Sequence, residues 1–101
     1  MKGILVKTDG TFEEVNPCGL EDLQSLVGGY IQQLSLLNGC VALINEDARI
    51  VGGFSSNSRA TQIVFQETGA NYDLLGDVLF LSQVEDEYAD ISSHFLNRYV
   101  N

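Results

Sequence analysis

Basic residues are scarce in this chain. Five lysines and arginines stand against 14 aspartates and glutamates, for a formal net charge of −9. The five, Lys2, Lys7, Arg49, Arg59 and Arg98, are scattered along the sequence. Duplex binding needs clustered cations that displace phosphate counterions. Direct nucleic-acid binding is therefore not expected, and neither is attachment to an anionic membrane surface. A single proline, Pro17, rules out a proline-rich linker. No apolar run approaches the ~20 residues of a membrane-spanning helix. The opening Met1–Lys7 is too short and too quickly charged for a signal peptide. Two cysteines, Cys18 and Cys40, and one histidine, His94, supply no zinc ligand set. The chain reads as cytoplasmic, with both thiols reduced, and no cofactor or metal is called for.

The chain has 101 residues and is 45% hydrophobic, which suits one domain over residues 1–101 with one core. Its apolar residues fall in periodic segments, which argues against disorder. Lys2–Lys7 and Thr11–Asn16 flank Thr8-Asp9-Gly10, a hairpin signal because glycine takes positive φ without steric cost. Pro17-Cys18-Gly19 then breaks the strand. Leu20, Leu23, Leu26 and Val27 repeat at helical spacing, with Glu21 and Asp22 in the first turn where the dipole favours them. Gly28-Gly29 should stop this helix. Continuation through Tyr30, Ile31 and Leu34 also fits the period, but two adjacent glycines cost about 2 kcal/mol of helix propensity.

Asn38-Gly39, the preferred two-residue hairpin turn, separates Tyr30–Leu37 from Cys40–Asn45. Cys40 sits in a run apolar on both faces and reads as a small buried hydrophobe. An irregular segment follows, from Asn45 to Thr61, holding Gly52-Gly53 and the isolated cation Arg59. Asn57 is placed to cap a helix over Ser58–Glu67, with Ala60, Ile63, Val64 and Glu67 on one face and Gly69 as its stop. Val78–Leu81 reads as the last strand. Ser82-Gln83-Val84-Glu85 has the spacing of a capping box. Tyr88, Ile91, Phe95 and Tyr99 then form a helical stripe, predicted to pack a C-terminal helix on the sheet. The order ββαββαβα gives an α+β fold, a mostly antiparallel sheet of about five strands with helices packed on it.

Chemistry is sparse. A catalytic triad needs a nucleophile, a base and an orienting group, and His94 is predicted late in a helix beside Phe95 as a surface or packing residue. A reactive thiolate needs a nearby cation or helix N-terminus, and Cys18 is followed by Glu21 and Asp22. Glu85, Asp86, Glu87 and Asp90 lack the Asp-x-Asp-x-Asp-Gly pattern of a calcium loop and read as a solvated helix start. Gly52-Gly53 matches neither a Walker loop nor a dinucleotide fingerprint. Asn57-Ser58-Arg59-Ala60-Thr61 has the makings of an anion site. Backbone N–H groups point outward at a helix start, Ser58 and Thr61 can donate, and Arg59 can pair bidentately with phosphate or carboxylate. The alternative makes Arg59 a structural clamp on an acidic side chain or on the Gly-Gly turn.

Four ordered blocks resemble a known family: Leu23–Gln32, Asn45-Glu46-Asp47, Asn57–Thr61 and Leu75-Gly76-Asp77-Val78. Together they are similar to DUF3846, a domain of unknown function found in bacteria, archaea, phages and mobile elements. The likeness covers roughly residues 1–82. It implies a small α+β domain from a phage or mobile-element context, acting in the host cytoplasm, with no established activity to transfer. It directs attention to Gly28, Gly29, Asn45, Glu46, Asn57, Arg59, Ala60, Thr61, Gly76 and Asp77, which could converge on one edge of the sheet.

The expected function is a non-catalytic binding protein. Asn57, Ser58, Arg59, Thr61, Asn45 and Asp77 would hold a small anionic or nucleotide-like ligand, sequestered as an anti-defence measure. The alternative is an acidic inhibitor or DNA-mimic decoy of a host protein, working through Glu13, Glu14, Glu85, Asp86, Glu87 and Asp90. Homo-oligomers would form at exposed sheet edges or on the Tyr88/Phe95/Tyr99 stripe.

Overall fold

Three segments are apolar at consecutive positions, and each becomes a strand covered on both sides. A computed structural model describes residues 1–101. In it β1 (Gly3–Val6), β4 (Cys40–Asn45) and β5 (Val78–Val84) form the middle of an antiparallel sheet ordered β2-β1-β5-β4-β3. The outer strands are β2 (Phe12–Val15) and β3 (Ile31–Ser35). Strands buried on both faces cannot alternate apolar with polar residues, which is why these three read as continuous apolar runs.

One face carries Ile4, Val6, Ala42, Val78 and Phe80, and packs under Ala60, Ile63, Val64 and Phe95. The other carries Leu5, Val41, Leu43, Leu79 and Leu81, and packs under Leu23 and Val27. The layers are therefore helix, sheet, helix. α1 (Leu20–Val27) covers the second face. It ends where the glycines demand. Gly28 takes φ 84°, and the N–H groups of Gly28 and Gly29 both donate to Gln24 O at 2.8 and 3.0 Å. α2 (Ala48–Val51) is a single turn, and α3 (Ser58–Thr68) covers the first face. Gly69, at φ 74°, stops α3 with its N–H on Phe65 O. The turn between β1 and β2 is held by Asp9, whose Oδ1 accepts from the Thr11 hydroxyl (2.6 Å) and N–H (2.9 Å). Those two bonds hold its carboxyl below the usual range.

The Asn38-Gly39 turn is present but wider than two residues. Leu36 N–H donates to Cys40 O at 2.9 Å, and Leu37–Gly39 make a tight 3₁₀ turn with Asn38 at φ 60° and Gly39 at φ 74°. Cys40 is buried, and its Sγ lies 3.5 Å from Ser92 Oγ.

The C-terminal third departs from the expected helix. β5 continues to Val84, the chain turns at Glu85-Asp86, and β6 (Glu87–Ala89) pairs back on β5 through Ser82↔Ala89, Gln83↔Tyr88 and Val84↔Glu87. Glu85 takes φ 57°, so the apparent capping box is a hairpin. β6 lies in line with β1 beside the same strand, tied by Ile91 N–H to Lys2 O at 2.7 Å and Lys2 N–H to Asp90 Oδ1 at 2.7 Å. The physical reason is backbone accounting. The outer half of β5 needs a hydrogen-bond partner beyond the end of β1, and residues 87–89 supply it. The helix begins only after Ser92, which caps it. α4 (Ser93–Phe95) runs into a π-helical turn over Leu96–Val100. The expected stripe is thus divided: Tyr88 packs against the α1-side cluster, while Ile91, Phe95 and Tyr99 pack on the α3 side. The observed order is ββαββααββα.

Glu67 follows from this packing. It lies on the buried face of α3 at 3% exposure, and its Oε2 accepts from the Tyr99 hydroxyl with Arg98 Nε 3.6 Å away. Desolvation, then the bond to Glu67, pushes the Tyr99 phenol up to about 12. Its unfolded value is near the ordinary 10. The folded state keeps its proton where the unfolded state loses it, so this contribution is complete below pH 10 and is lost as pH rises through 12. Urea unfolding should show stability falling across that window, and Tyr99→Phe should flatten the decline. An identical decline in the variant would assign it to other groups.

Candidate functional site

The residues singled out by the family likeness meet at one end of the sheet, where β1 and β4 finish and β5 begins. The segment after α2 organises this end. Gly52 and Gly53 take φ 80° and 81°, a left-handed pair open to two glycines. They swing Phe54 back against the sheet end. Its ring lies so close to Gly28 and Gly76 that a Cβ there would sit 3.3 and 2.9 Å from it. A Cβ on Gly29 would sit 3.0 Å from Asn45 Nδ2. These glycines are where backbone meets side chain at close range, beyond their roles as helix stop and turn.

Two buried asparagines knit the end together. Asn57, 1% exposed, donates from Nδ2 to Val6 O (2.8 Å) and Gly76 O (2.9 Å), and accepts at Oδ1 from Ala60 N–H (3.0 Å). It is the cap of α3 and also the bridge to β1 and the β5 entry. Asn45 donates to Val27 O (3.2 Å) and accepts from Asp47 N–H (2.9 Å). Thr61 Oγ1 accepts from Leu74 N–H at 3.0 Å. Three of the six residues expected to hold a ligand thus spend these side-chain atoms within the fold.

The other three are more open. Ser58 and Arg59 are exposed at the start of α3. Arg59 lies over the Phe12 ring, 5.3 Å from its centroid, and takes part in none of the four ion pairs. Asp77 is half-buried and accepts Thr8 N–H at Oδ1 (3.1 Å). It lines a groove of about 340 Å³ with Thr8, Ser25, Gly28, Gly53, Phe54, Ser55 and Gly76. The groove holds one carboxylate and three hydroxyl side chains, and no cation. Neither Phe54 nor Ser55 is among the residues expected at the site, and Thr8 and Ser25 are expected only as parts of a turn and of a family block. A lone aromatic between Gly-Gly and Ser-Ser was the available signal for Phe54.

Charge is unevenly matched. Four carboxylates pair with cations: Glu14 with Lys2, Glu13 with Lys7, Asp73 with Arg49, and Glu67 with Arg98. The other ten of the 14 carry no such partner. They lie at Asp9, at the start of α1 (Glu21, Asp22), in the turn after β4 (Glu46, Asp47), at Asp77, and around the β5–β6 hairpin (Glu85, Asp86, Glu87, Asp90). His94 is exposed, its Nε2 3.2 Å from Asn38 Nδ2. No helix is long and apolar enough to cross a membrane.

An antiparallel sheet between helices, with a polar groove at one end, defines a small α+β protein. The chain belongs to the family described as Domain of unknown function (DUF3846), which it matches over residues 1–101, including the C-terminal part beyond residue 82. No curated protein and no solved structure matches it.

Proposed function

We propose that this chain is a non-catalytic binding protein that engages a cationic protein surface, as an acidic inhibitor or decoy of a host protein. The observation that carries this reading is the set of ten carboxylates without a cation partner, against one cation, Arg59, left outside the ion pairs. Such a field attracts basic partners and speeds their encounter. The groove suits the same chemistry. Asp77, with three hydroxyl side chains around it, is a seat for a lysine or arginine side chain of the partner. The phage and mobile-element setting implied by the family likeness fits a protein of this kind acting in a host cytoplasm.

The experiment is capture of host proteins on the purified chain, with the bound protein then titrated against variants. Asp77→Asn is expected to weaken the complex about tenfold, the scale of one charge-assisted hydrogen bond. Arg59→Ala should leave it unchanged. The reverse pattern would favour a second reading, a small anionic or nucleotide-like ligand at the start of α3. That reading is supported by the exposure of Arg59 and Ser58 beside the helix N-terminus. A bound mass of a few hundred daltons on the native protein, absent when denatured, would identify it.

A further inference from the structure

The sheet ends in two edge strands, β2 and β3, and they are built differently. β2 presents Glu13 and Glu14, exposed and paired with Lys7 and Lys2, and is followed by Pro17. Charges along an edge discourage pairing with another strand. β3 has no such protection. Tyr30-Ile31-Gln32-Gln33-Leu34-Ser35-Leu36-Leu37 contains no charge and no proline. It lies inside the longest charge-free stretch of the chain, between Asp22 and Glu46. Exposed apolar side chains flank it, Tyr30 at 67% and Leu37 at 62%.

The open backbone groups on β3 can be assigned. Leu36 N–H donates to Cys40 O (2.9 Å) and Glu46 N–H to Tyr30 O (2.8 Å). Hydrogen-bonded pairs alternate along an antiparallel ladder. With the register Gln32↔Ile44 and Leu34↔Ala42, residues 30, 32, 34 and 36 therefore face β4. The N–H and C=O groups of Ile31, Gln33 and Ser35 point away from the sheet.

We infer that β3 pairs with β3 of a second copy, antiparallel about a two-fold axis at Gln33. That register sets Gln33 opposite the partner's Gln33, and Ile31 opposite the partner's Ser35. All three outward residues then fall in hydrogen-bonded pairs, about six bonds in all. Tyr30 comes opposite the partner's Leu36, and Leu37 opposite the partner's Gly29, a position with no side chain in the way. A two-fold contact must be self-complementary. A chain of net charge −9 repels its own copies over most of its surface. The charge-free edge is where two copies can approach. The result is one continuous sheet across both chains.

Sedimentation velocity tests this with two substitutions. The wild-type chain should sediment at twice its 11.0 kDa mass, dissociating on dilution. Ser35→Pro removes one outward N–H and no bond to β4, so it should yield monomer with unchanged far-UV circular dichroism. Ser35→Thr keeps the N–H and should remain dimeric. Hydrogen exchange on the wild type reads the same contact without mutation: the amides of Ile31, Gln33 and Ser35 should be protected, and lose protection as the dimer dissociates. A wild type that is monomeric at every concentration overturns the inference. So does a dimer that survives Ser35→Pro, or rapid exchange of those three amides in the associated state. If Ser35→Pro unfolds the chain, the exchange result decides.

Discussion

Asn57→Ala is expected to lower stability by about 3–5 kcal/mol, the sum of a lost helix cap, of a buried Gly76 carbonyl left without a donor and of a second bond lost by the Val6 carbonyl. The groups affected are Ala60 N–H and Gly76 O, which are stranded, and Val6 O, which keeps only its ladder bond to β5, at the junction of α3, β1 and the entry to β5. Removing the side chain leaves a space too enclosed for water to reach easily, since Asn57 is 1% exposed. For a domain of this size the loss corresponds to a fall in melting temperature of roughly 15 °C or more. Asn57→Ser separates the parts. A serine can still accept from Ala60 N–H, so it should recover about 1 kcal/mol, leaving most of the cost with the two carbonyls. Urea unfolding of both variants checks this. A loss under about 1 kcal/mol for Asn57→Ala would mean that Asn57 is only a cap.

Gly76→Ala should cost about 2–4 kcal/mol for a different reason. Gly76 sits at φ 78°, where an L residue is strained by about 1–2 kcal/mol. The new methyl would also meet Phe54 Cδ1 at 2.9 Å, and overpacking adds about 1–3 kcal/mol. The two terms can be told apart by Phe54→Leu in the Gly76→Ala background. The smaller side chain relieves the contact and leaves the backbone strain, so the double variant should lose less than the two single changes together. Strict additivity would show that Phe54 does not press on Gly76. Substitution at Gly52 or Gly53 tests the same loop from its open side, because nothing lies within 4 Å of a Cβ there and only the backbone conformation resists.

These two sites show what can be read from a sequence of this kind. Local signals held. Gly28 and Gly69 stop their helices in left-handed conformations, and Asn57 caps α3. The runs Gly3–Val6, Cys40–Asn45 and Val78–Leu81 become strands buried on both faces. Each depends on residues a few positions apart. The spacing misleads where the decisive partner is distant in sequence. Tyr88, Ile91, Phe95 and Tyr99 do have helical spacing, but the backbone of residues 87–89 completes the ladder on the far end of β5, and this outweighs the periodicity. The site was half legible for the same reason. Polar residues and glycines marked the important segment. That Asn57 reaches Val6 and Gly76, and that Phe54 fills the space over Gly28 and Gly76, depends on strand order. The sequence pattern carries no trace of that order.

The edge asymmetry has the same character. The lack of charge between Asp22 and Glu46 is visible in the sequence, but its meaning depends on β3 being the last strand of the sheet. Placed centrally, the segment would be ordinary core. At an edge, its backbone groups are free and no charge guards them.

Binding is proposed to run through the unpaired carboxylates. The most direct measurement is the affinity of the captured host protein for this chain as a function of salt concentration. A steep loss of affinity with rising ionic strength, carried mainly by the association rate, is the expected result. Affinity that stays flat across the same range would contradict it.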